Sequence, residues 1–314
     1  MIVYSIPMRT RFRGLDHREG LLLEGPAGWG EFSPFPEYDA AISRPWLDCA
    51  LEATEQGWPE PIRDRVPVNV TVPACSPEKA VEIVGNRNGA DTVKVKVAEP
   101  GQSLAEDQAR LEAVRGELGS GRIRIDANGA WSVEEALSVI PVLDRAAGGL
   151  EYVEQPCAEV GDLARVRRGV AVPIAADESI RRAEDPYLVR DLAAADIAVL
   201  KVQPLGGVRR CLEIAAEIGL PVVVSSAVES SIGIAAGVAL AAALPDLPYA
   251  CGLATMQLLE GDVTSETLLP VDGAIEVRRP VVDPELAQRW AHPEPGEWLA
   301  RLASVQAIRE DRLP

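Results

Sequence analysis

The chain has 314 residues, 47% hydrophobic and 25% charged, with a net charge of −17. That balance is ordinary for a globular protein with one large core and a smaller lobe, since barrel folds of about 250 residues form single units. The acidic excess argues against a nucleic-acid partner, which needs a basic face. Five scattered cysteines (Cys49, Cys75, Cys157, Cys211, Cys251) without a Cys-x-x-Cys pair exclude a disulfide framework or zinc site and suit a reducing, cytoplasmic setting.

The first 65 residues are rich in Gly, Pro and Trp. Antiparallel-looking stretches at Ile2–Phe12 and Gly20–Gly25 precede a loop over Gly28–Glu37, which together predict a small α+β domain over residues 1–65. The start, MIVYSIPMRTRFRG, has no apolar signal-peptide core. From Val66 a different pattern sets in: a short apolar run, a polar residue near its end, then a segment of helical periodicity. The runs are Val66–Val72, Thr92–Val97, Arg122–Asp126, Leu150–Glu154, Val172–Asp177, Ile197–Lys201 and Pro221–Ser225, with a weaker eighth at Pro248–Gly252. Between them, Ser103–Leu118, Ser132–Ala147 and Val208–Ile218 read as helices. Ser132 with Glu135 forms a capping box, and Gly119 and Gly219 suit helix ends. Such alternation predicts parallel βαβ units over residues 66–255, closing into a barrel, with an open doubly wound sheet as the alternative. The longest apolar run, Ile232–Leu244, falls well short of the roughly 20 residues that span a membrane and reads as a buried helix. Residues 256–314 carry short strand-like pieces and a helix near Pro295–Ile308, and are expected to return to the first domain.

Only four of the 31 Lys+Arg residues are lysine, and three of those (Lys94, Lys96, Lys201) lie within apolar strands. Arginine cannot give up its proton, whereas a buried ammonium can be tuned into a base. Lys96, Asp126, Glu154, Asp177 and Lys201 follow one another at intervals of 30, 28, 23 and 24 residues, about one βα unit each. Each therefore ends a successive strand and points into one mouth, where parallel barrels build active sites. Three carboxylates meeting there need a neutralising hard cation, Mg2+ or Mn2+, although any one alone is as well read as an N-cap or rim charge. Alternation does not choose between Asp177 and Glu178. Lys94 and Lys96 share a face. Lys201, four strands further round, faces them, so a small-molecule carboxylate held between the amines is set for proton abstraction at its α-carbon, giving an enediolate.

The motifs Lys94-Val-Lys96, Asp126-Ala-Asn128, Glu154-Gln-Pro156, Asp177-Glu-Ser179 and Lys201 resemble, in order and spacing, the enolase superfamily in its muconate-cycloisomerase-like subgroup over nearly the whole chain. The resemblance implies an α/β fold: a (β/α)7β barrel, a modified TIM barrel, under an α+β capping domain. It implies metal ligands Asp126, Glu154 and Asp177 rather than Glu178, Lys96 as general base with Lys94 beside it, and Lys201 opposite. The histidine base of the mandelate-racemase-like branch has no counterpart, since His17 and His292 lie outside the barrel runs. The short length and the segment Ser225–Gly233 are similar to the dehydratases of menaquinone biosynthesis. That likeness implies loss of hydroxide from a 2-succinyl-6-hydroxycyclohexadiene carboxylate, with Lys96 serving as base and then acid. Ser225, Ser226 and Asn128 are substrate-binding candidates, a polar barrel rim being the plain alternative for the serines. Gly252–Thr255 lacks the Asp-x-Asp of dipeptide epimerases. Rival readings are an N-succinylamino-acid racemase or a muconate-type cycloisomerase on the same scaffold, a metal-free Schiff-base lyase, and a non-catalytic binding protein.

Other features are given structural roles. Gly206-Gly207 lacks the strand–GxGxxG–helix context of a dinucleotide site and reads as a turn. Trp29, Phe32 and Phe35 suit either a lid or packing between domains. Arg9, Arg11, Arg13 and Arg18 read as a solvated face, and His17 as a surface loop residue.

Overall fold

Period-two alternation at the beginning of the chain builds an antiparallel meander. In β1 (Ile2–Phe12), Tyr4, Ile6 and Met8 are buried on one face. β1 pairs with β2 (Leu15–Gly25), and β2 with β3 (Gly28–Phe32). The computed structural model describes residues 1–12, 14–182 and 185–310. β3 corrects the expectation of a loop from Gly28. Its glycines answer to packing, because a Cβ on Gly30 would sit 2.3 Å from the Ala50 carbonyl oxygen. That helix, α1 (Ala40–Leu51), is capped by Asp39, whose carboxylate accepts from Ile42 N at 2.9 Å, and it runs on into a π-helical turn at Glu52–Gln56. Trp46 and Leu47 of α1 bury against Val3, Leu21 and Phe32.

β4 (Arg65–Pro67) leaves the expected first barrel run and pairs antiparallel with a strand near the end of the chain. The barrel begins at β5 (Val70–Val72) and continues through α2 (Pro77–Gly85), β6 (Thr92–Lys96), α3 (Leu104–Leu118), β7 (Arg122–Asp126), α4 (Val133–Ala146) and β8 (Leu150–Glu154). Then come α5 (Val160–Gly169), β9 (Ile174–Ala176) and two single turns, α6 (Glu178–Arg181) and α7 (Leu188–Asp191). β10 (Ile197–Lys201), α8 (Val202–Leu205), α9 (Val208–Ile218), β11 (Val222–Ser225) and α10 (Ser231–Ala243) complete it. The sheet order β11-β10-β9-β8-β7-β6-β5 is parallel throughout its seven strands. The weak eighth run is not a strand. It contributes two isolated bridges, Val68 with Cys251 and Ser225 with Gly252, which join the edges of the curled sheet.

Capping boxes begin both α3 (Ser103 with Glu106) and α4 (Ser132 with Glu135). α10 is buried on all sides, which is why it lacks a polar face. Beyond the barrel, β12 (Ala274–Glu276) is the partner of β4, followed by α11 (Pro284–Arg289) and α12 (Gly296–Glu310). Ser5 N donates to Trp290 O and His292 N to Val3 O, while Trp298, Leu302 and Val305 join the Trp46 cluster.

Two charged side chains tie the cap to the barrel. Glu52 accepts from Val208 N at 2.5 Å and Arg209 N at 3.1 Å, so a carboxylate of this chain occupies the N-terminus of α9 beside Gly206-Gly207. Arg18, expected on a solvated face, is instead 1% exposed and donates to the carbonyls of Val228, Glu19 and Ser33. The β-strand alternation of β2 turns it inward, a position that charge alone does not reveal. Arg9 is exposed with Nε on Leu259 O, the side chain of Arg11 and the whole of Arg13 lie outside the described residues, and His17 is exposed but on β2 rather than in a loop. Phe32 packs edge-on to Trp298 at 6.2 Å and Trp29 packs on the main core, while Phe35 reaches the cavity described next.

Candidate active site

Strand register stacks the inward-facing side chains of the barrel in two layers. Lys94 is level with Arg124, and Arg124 with Tyr152. One step toward the C-terminal ends, Lys96 is level with Asp126, Asp126 with Glu154, and Lys201 with Ser225. In the lower layer the Arg124 guanidinium lies 4.7 Å from the Tyr152 ring centre and 5.8 Å from Tyr249, filling the lumen floor. The upper layer opens into a cavity of about 630 Å3, whose lining includes Lys94, Lys96 and Lys201 from the barrel and Phe35 and Trp46 from the cap.

The acids and amines interlock. Lys94 Nζ lies 3.2 Å from Asp126 Oδ2 and 2.9 and 3.1 Å from the two Glu154 oxygens. Lys96 Nζ is 2.5 Å from the same Asp126 Oδ2 and 2.6 Å from Asn128 Oδ1. Lys201 Nζ is 2.5 Å from Asp177 Oδ2, and Arg181 Nε is 2.8 Å from Asp177 Oδ1. Asp126, Glu154 and Asp177 are all buried.

These surroundings fix the charges. Burial opposes ionisation of Asp126, but Lys96 and then Lys94 overcome it and hold the carboxyl well below the usual range. Asp177 is held low in the same way, against burial, by Arg181 and Lys201. Burial would lower Lys94, yet Glu154 and Asp126 outweigh it and keep the ammonium well above its ordinary value. Glu154 goes the other way: burial, followed by the charge of Asp126, pushes it up to about 7.

Asn128 bridges the two sides of the mouth, accepting from Lys96 and donating from Nδ2 to Glu178 Oε1 at 3.2 Å. Ser226 Oγ donates to Gly252 O at 2.8 Å and lies 2.9 Å from Thr255 Oγ1. Ser225 and Ser226 both line the cavity. Thr255, Arg181 and Val228 line it too and were missed in the sequence. Arg181 had a signal, standing one helical turn after Asp177 (i, i+4), whereas Val228 had none.

No group of three acidic, histidine or cysteine side chains among the described residues is arranged as a closed metal site, because the ammonium groups lie between the carboxylates. The donor set nonetheless fits a hard dication. It offers oxygen ligands from adjacent strand ends, and Glu178 Oε2 is buried at the same mouth without a partner.

A seven-stranded parallel barrel under an α+β cap, with amines and acids interleaved at its mouth, defines a class that the comparisons make explicit. The Enolase C-terminal domain-like family matches residues 78–281 and the Enolase N-terminal domain-like family residues 3–54, and the chain belongs to the enolase superfamily. Within it, the chain is 62% identical over 310 residues to the o-succinylbenzoate synthase of Thermobifida fusca, covering 98% of this chain and 96% of that protein. It is 53% identical to that of Mycolicibacterium smegmatis, with 98% and 95% covered, and 54% identical to that of Mycobacterium tuberculosis, with 95% and 90% covered. Among solved structures, muconate lactonizing enzyme from Pseudomonas fluorescens superimposes with a TM-score of 0.79 at 20% identity, covering 93% of this chain and 97% of that one. The L-Ala-D/L-Glu epimerase of Bacillus subtilis does so at 0.74 and 22%, covering 89% and 95%. At those identities the likeness shows the fold alone.

Proposed function

We infer that the chain is a hydro-lyase catalysing the o-succinylbenzoate synthase reaction: dehydration of a 2-succinyl-6-hydroxycyclohexadiene carboxylate to the aromatic dicarboxylate used in making menaquinone. The observation that carries the choice of reaction is the 62% identity, over nearly the whole of both chains, to the Thermobifida fusca synthase. The geometry of the mouth supports the chemistry.

Lys96 acts as the base, at the open edge of the cluster, and takes the proton α to the carboxylate. Asn128 and Asp126, both within 2.6 Å of Nζ, fix where that nitrogen stands. The new ammonium then returns the proton to the departing hydroxide. Water leaves, the ring becomes aromatic and the amine is restored. Lys201 stands four strands away in the sheet order, hence across the mouth, and as an ammonium offsets the negative charge that spreads into the carboxylate. Lys94, held charged beneath, favours the ionised forms of Asp126 and Glu154. Asp126, Glu154 and Asp177 are the residues proposed to hold Mg2+, or Mn2+ in its place, which when bound supplies a Lewis acid for the substrate carboxylate. Ser225, Ser226 and Asn128 are proposed to contact substrate, and their place on the cavity wall supports this.

In this reading residues 1–65 with 256–314 form the cap and 66–255 the barrel; the packing of α12 on α1 supports the return of the C-terminal segment to the cap, while β4, paired with β12, straddles the boundary at residue 65. Five free thiols and the net charge of −17 support a cytoplasmic enzyme without a nucleic-acid partner, and no helix among the described residues is long and apolar enough to cross a membrane. The test is loss of the diene absorbance of the substrate with added Mg2+, abolished by EDTA and restored by the metal. Solvent-deuterium exchange into succinylamino acids, with no consumption of diene, would replace this reading by a racemase.

A further inference from the structure

Val228 is the conformational outlier of the cavity wall. Its φ is +64°, in the left-handed region that a β-branched residue enters only when its surroundings force it there. It belongs to the turn between β11 and α10, where Ser226, Ala227 and Val228 all face the cavity. Two charged side chains of the cap hold that turn.

Arg18 Nε donates to Val228 O at 3.0 Å, Nη1 to Glu19 O at 2.9 Å, and Nη2 to both oxygens of Ser33. None of these acceptors is a carboxylate. Burying a guanidinium to satisfy carbonyl groups is costly, so the arrangement points to a geometry that matters. Glu31, 2% exposed on β3, grips the other end of the turn. It accepts from Ser230 N and Gly233 N, each at 3.1 Å, and from the Ser230 hydroxyl. Ser33 Oγ joins the two grips by donating to Glu31 Oε1 at 2.6 Å. Within the turn, Glu229 folds back to accept from Ala227 N at 2.8 Å. The Arg18 guanidinium also lies 4.9 Å from the ring centre of Phe35, which lines the same cavity.

Phe35, Ala227 and Val228 line the same cavity as Lys96 and Lys201, so they offer a wall to the atoms of a substrate whose α-carbon lies between the two amines. We propose that Arg18 is a positioning residue for that part of the substrate: acting through Val228, it fixes the wall against which the arm remote from the reacting carbon is bound. The proposal rests on the α-proton reading of the site.

The test uses the full-length enzyme with Mg2+ and the variants Arg18→Met, Arg18→Lys and Ser33→Ala. We expect Arg18→Met to raise KM for the cyclohexadiene and weaken calorimetric binding of o-succinylbenzoate by about ten-fold or more, with kcat within about three-fold. Arg18→Lys should recover most of the lost affinity. A purely structural role would lower the melting temperature and the active fraction, hence kcat, with KM and product affinity unchanged, and that outcome overturns the proposal. Should Arg18→Met not fold, Ser33→Ala removes only the hydroxyl joining Arg18 to Glu31. Its expected effect is a rise of about three-fold in KM, and no rise overturns the proposal equally. A wild-type enzyme inert toward the diene would count against the reaction instead, and the same KM comparison is then read from deuterium exchange into succinylamino acids.

Discussion

Replacing Lys96 and Lys201 by Ala, one at a time, separates one-base dehydration from two-base racemisation. Both variants should fold, because neither leaves a buried carboxylate alone: Asp126 keeps Lys94 at 3.2 Å, and Asp177 keeps Arg181 at 2.8 Å. Loss of a general base costs about 10²–10⁴ in rate, and in the proposed mechanism Lys96 is also the acid, so Lys96→Ala should lower kcat by roughly 10⁴ or more, at least about 5.4 kcal/mol. In the proposed mechanism Lys201 stabilises charge without moving a proton, and its loss should cost about 10²–10³. The measurement is initial loss of diene absorbance at saturating Mg2+, with circular dichroism to verify the fold. Lys96→Ala should therefore be at least about ten-fold the slower of the two. Equal losses, or a slower Lys201→Ala, would refute the assignment of base and bystander.

Asp126→Asn and Glu154→Gln should each weaken Mg2+ binding by about ten-fold or more in calorimetry, and unchanged affinity would remove them as ligands. Glu154, raised from its ordinary 4.5 to about 7, makes the folded protein bind an extra proton between those values. The metal-free protein should accordingly lose about 3 kcal/mol of stability as pH rises from about 4.5 to 7 and then level off. Metal affinity should rise over the same interval, with release of up to about one proton at pH 6; calorimetry in two buffers of different ionisation enthalpy measures it, and no release would contradict the assignment. Glu52→Ala removes the acceptor of two α9 amides and of Arg209 Nη1, and should cost about 2–4 kcal/mol in urea unfolding; a loss under about 0.5 would deny the carboxylate its capping role.

The barrel and its mouth were readable because they rest on periodicity. Short strands alternating with helices place Lys96, Asp126, Glu154 and Lys201 at equivalent strand ends, and the observed register aligns Lys96 with Asp126 and Asp126 with Glu154. What the sequence hid depends on contacts between distant segments. β3 looked like a loop because its glycines are needed where α1 and the following π-helical turn press on it. Val66 and Pro67 looked like barrel strand, but their partners, Ile275 and Ala274 in β12, come from the distant C-terminal segment. The charge of Arg18 hides its burial, since the carbonyl of Val228 that receives it lies 210 residues further along the chain.

The scarcity of lysine makes the chain an unusual substrate for amine chemistry. Lys79 has 45% of its side chain open to solvent, against 8%, 15% and 11% for Lys94, Lys96 and Lys201. An acylating reagent offered to the native protein meets a single open lysine, on α2, which precedes the strand that carries Lys94 and Lys96. Once Lys79 is replaced by Arg, any further side-chain label that silences the enzyme has entered the mouth, so labelling reports its accessibility one amine at a time.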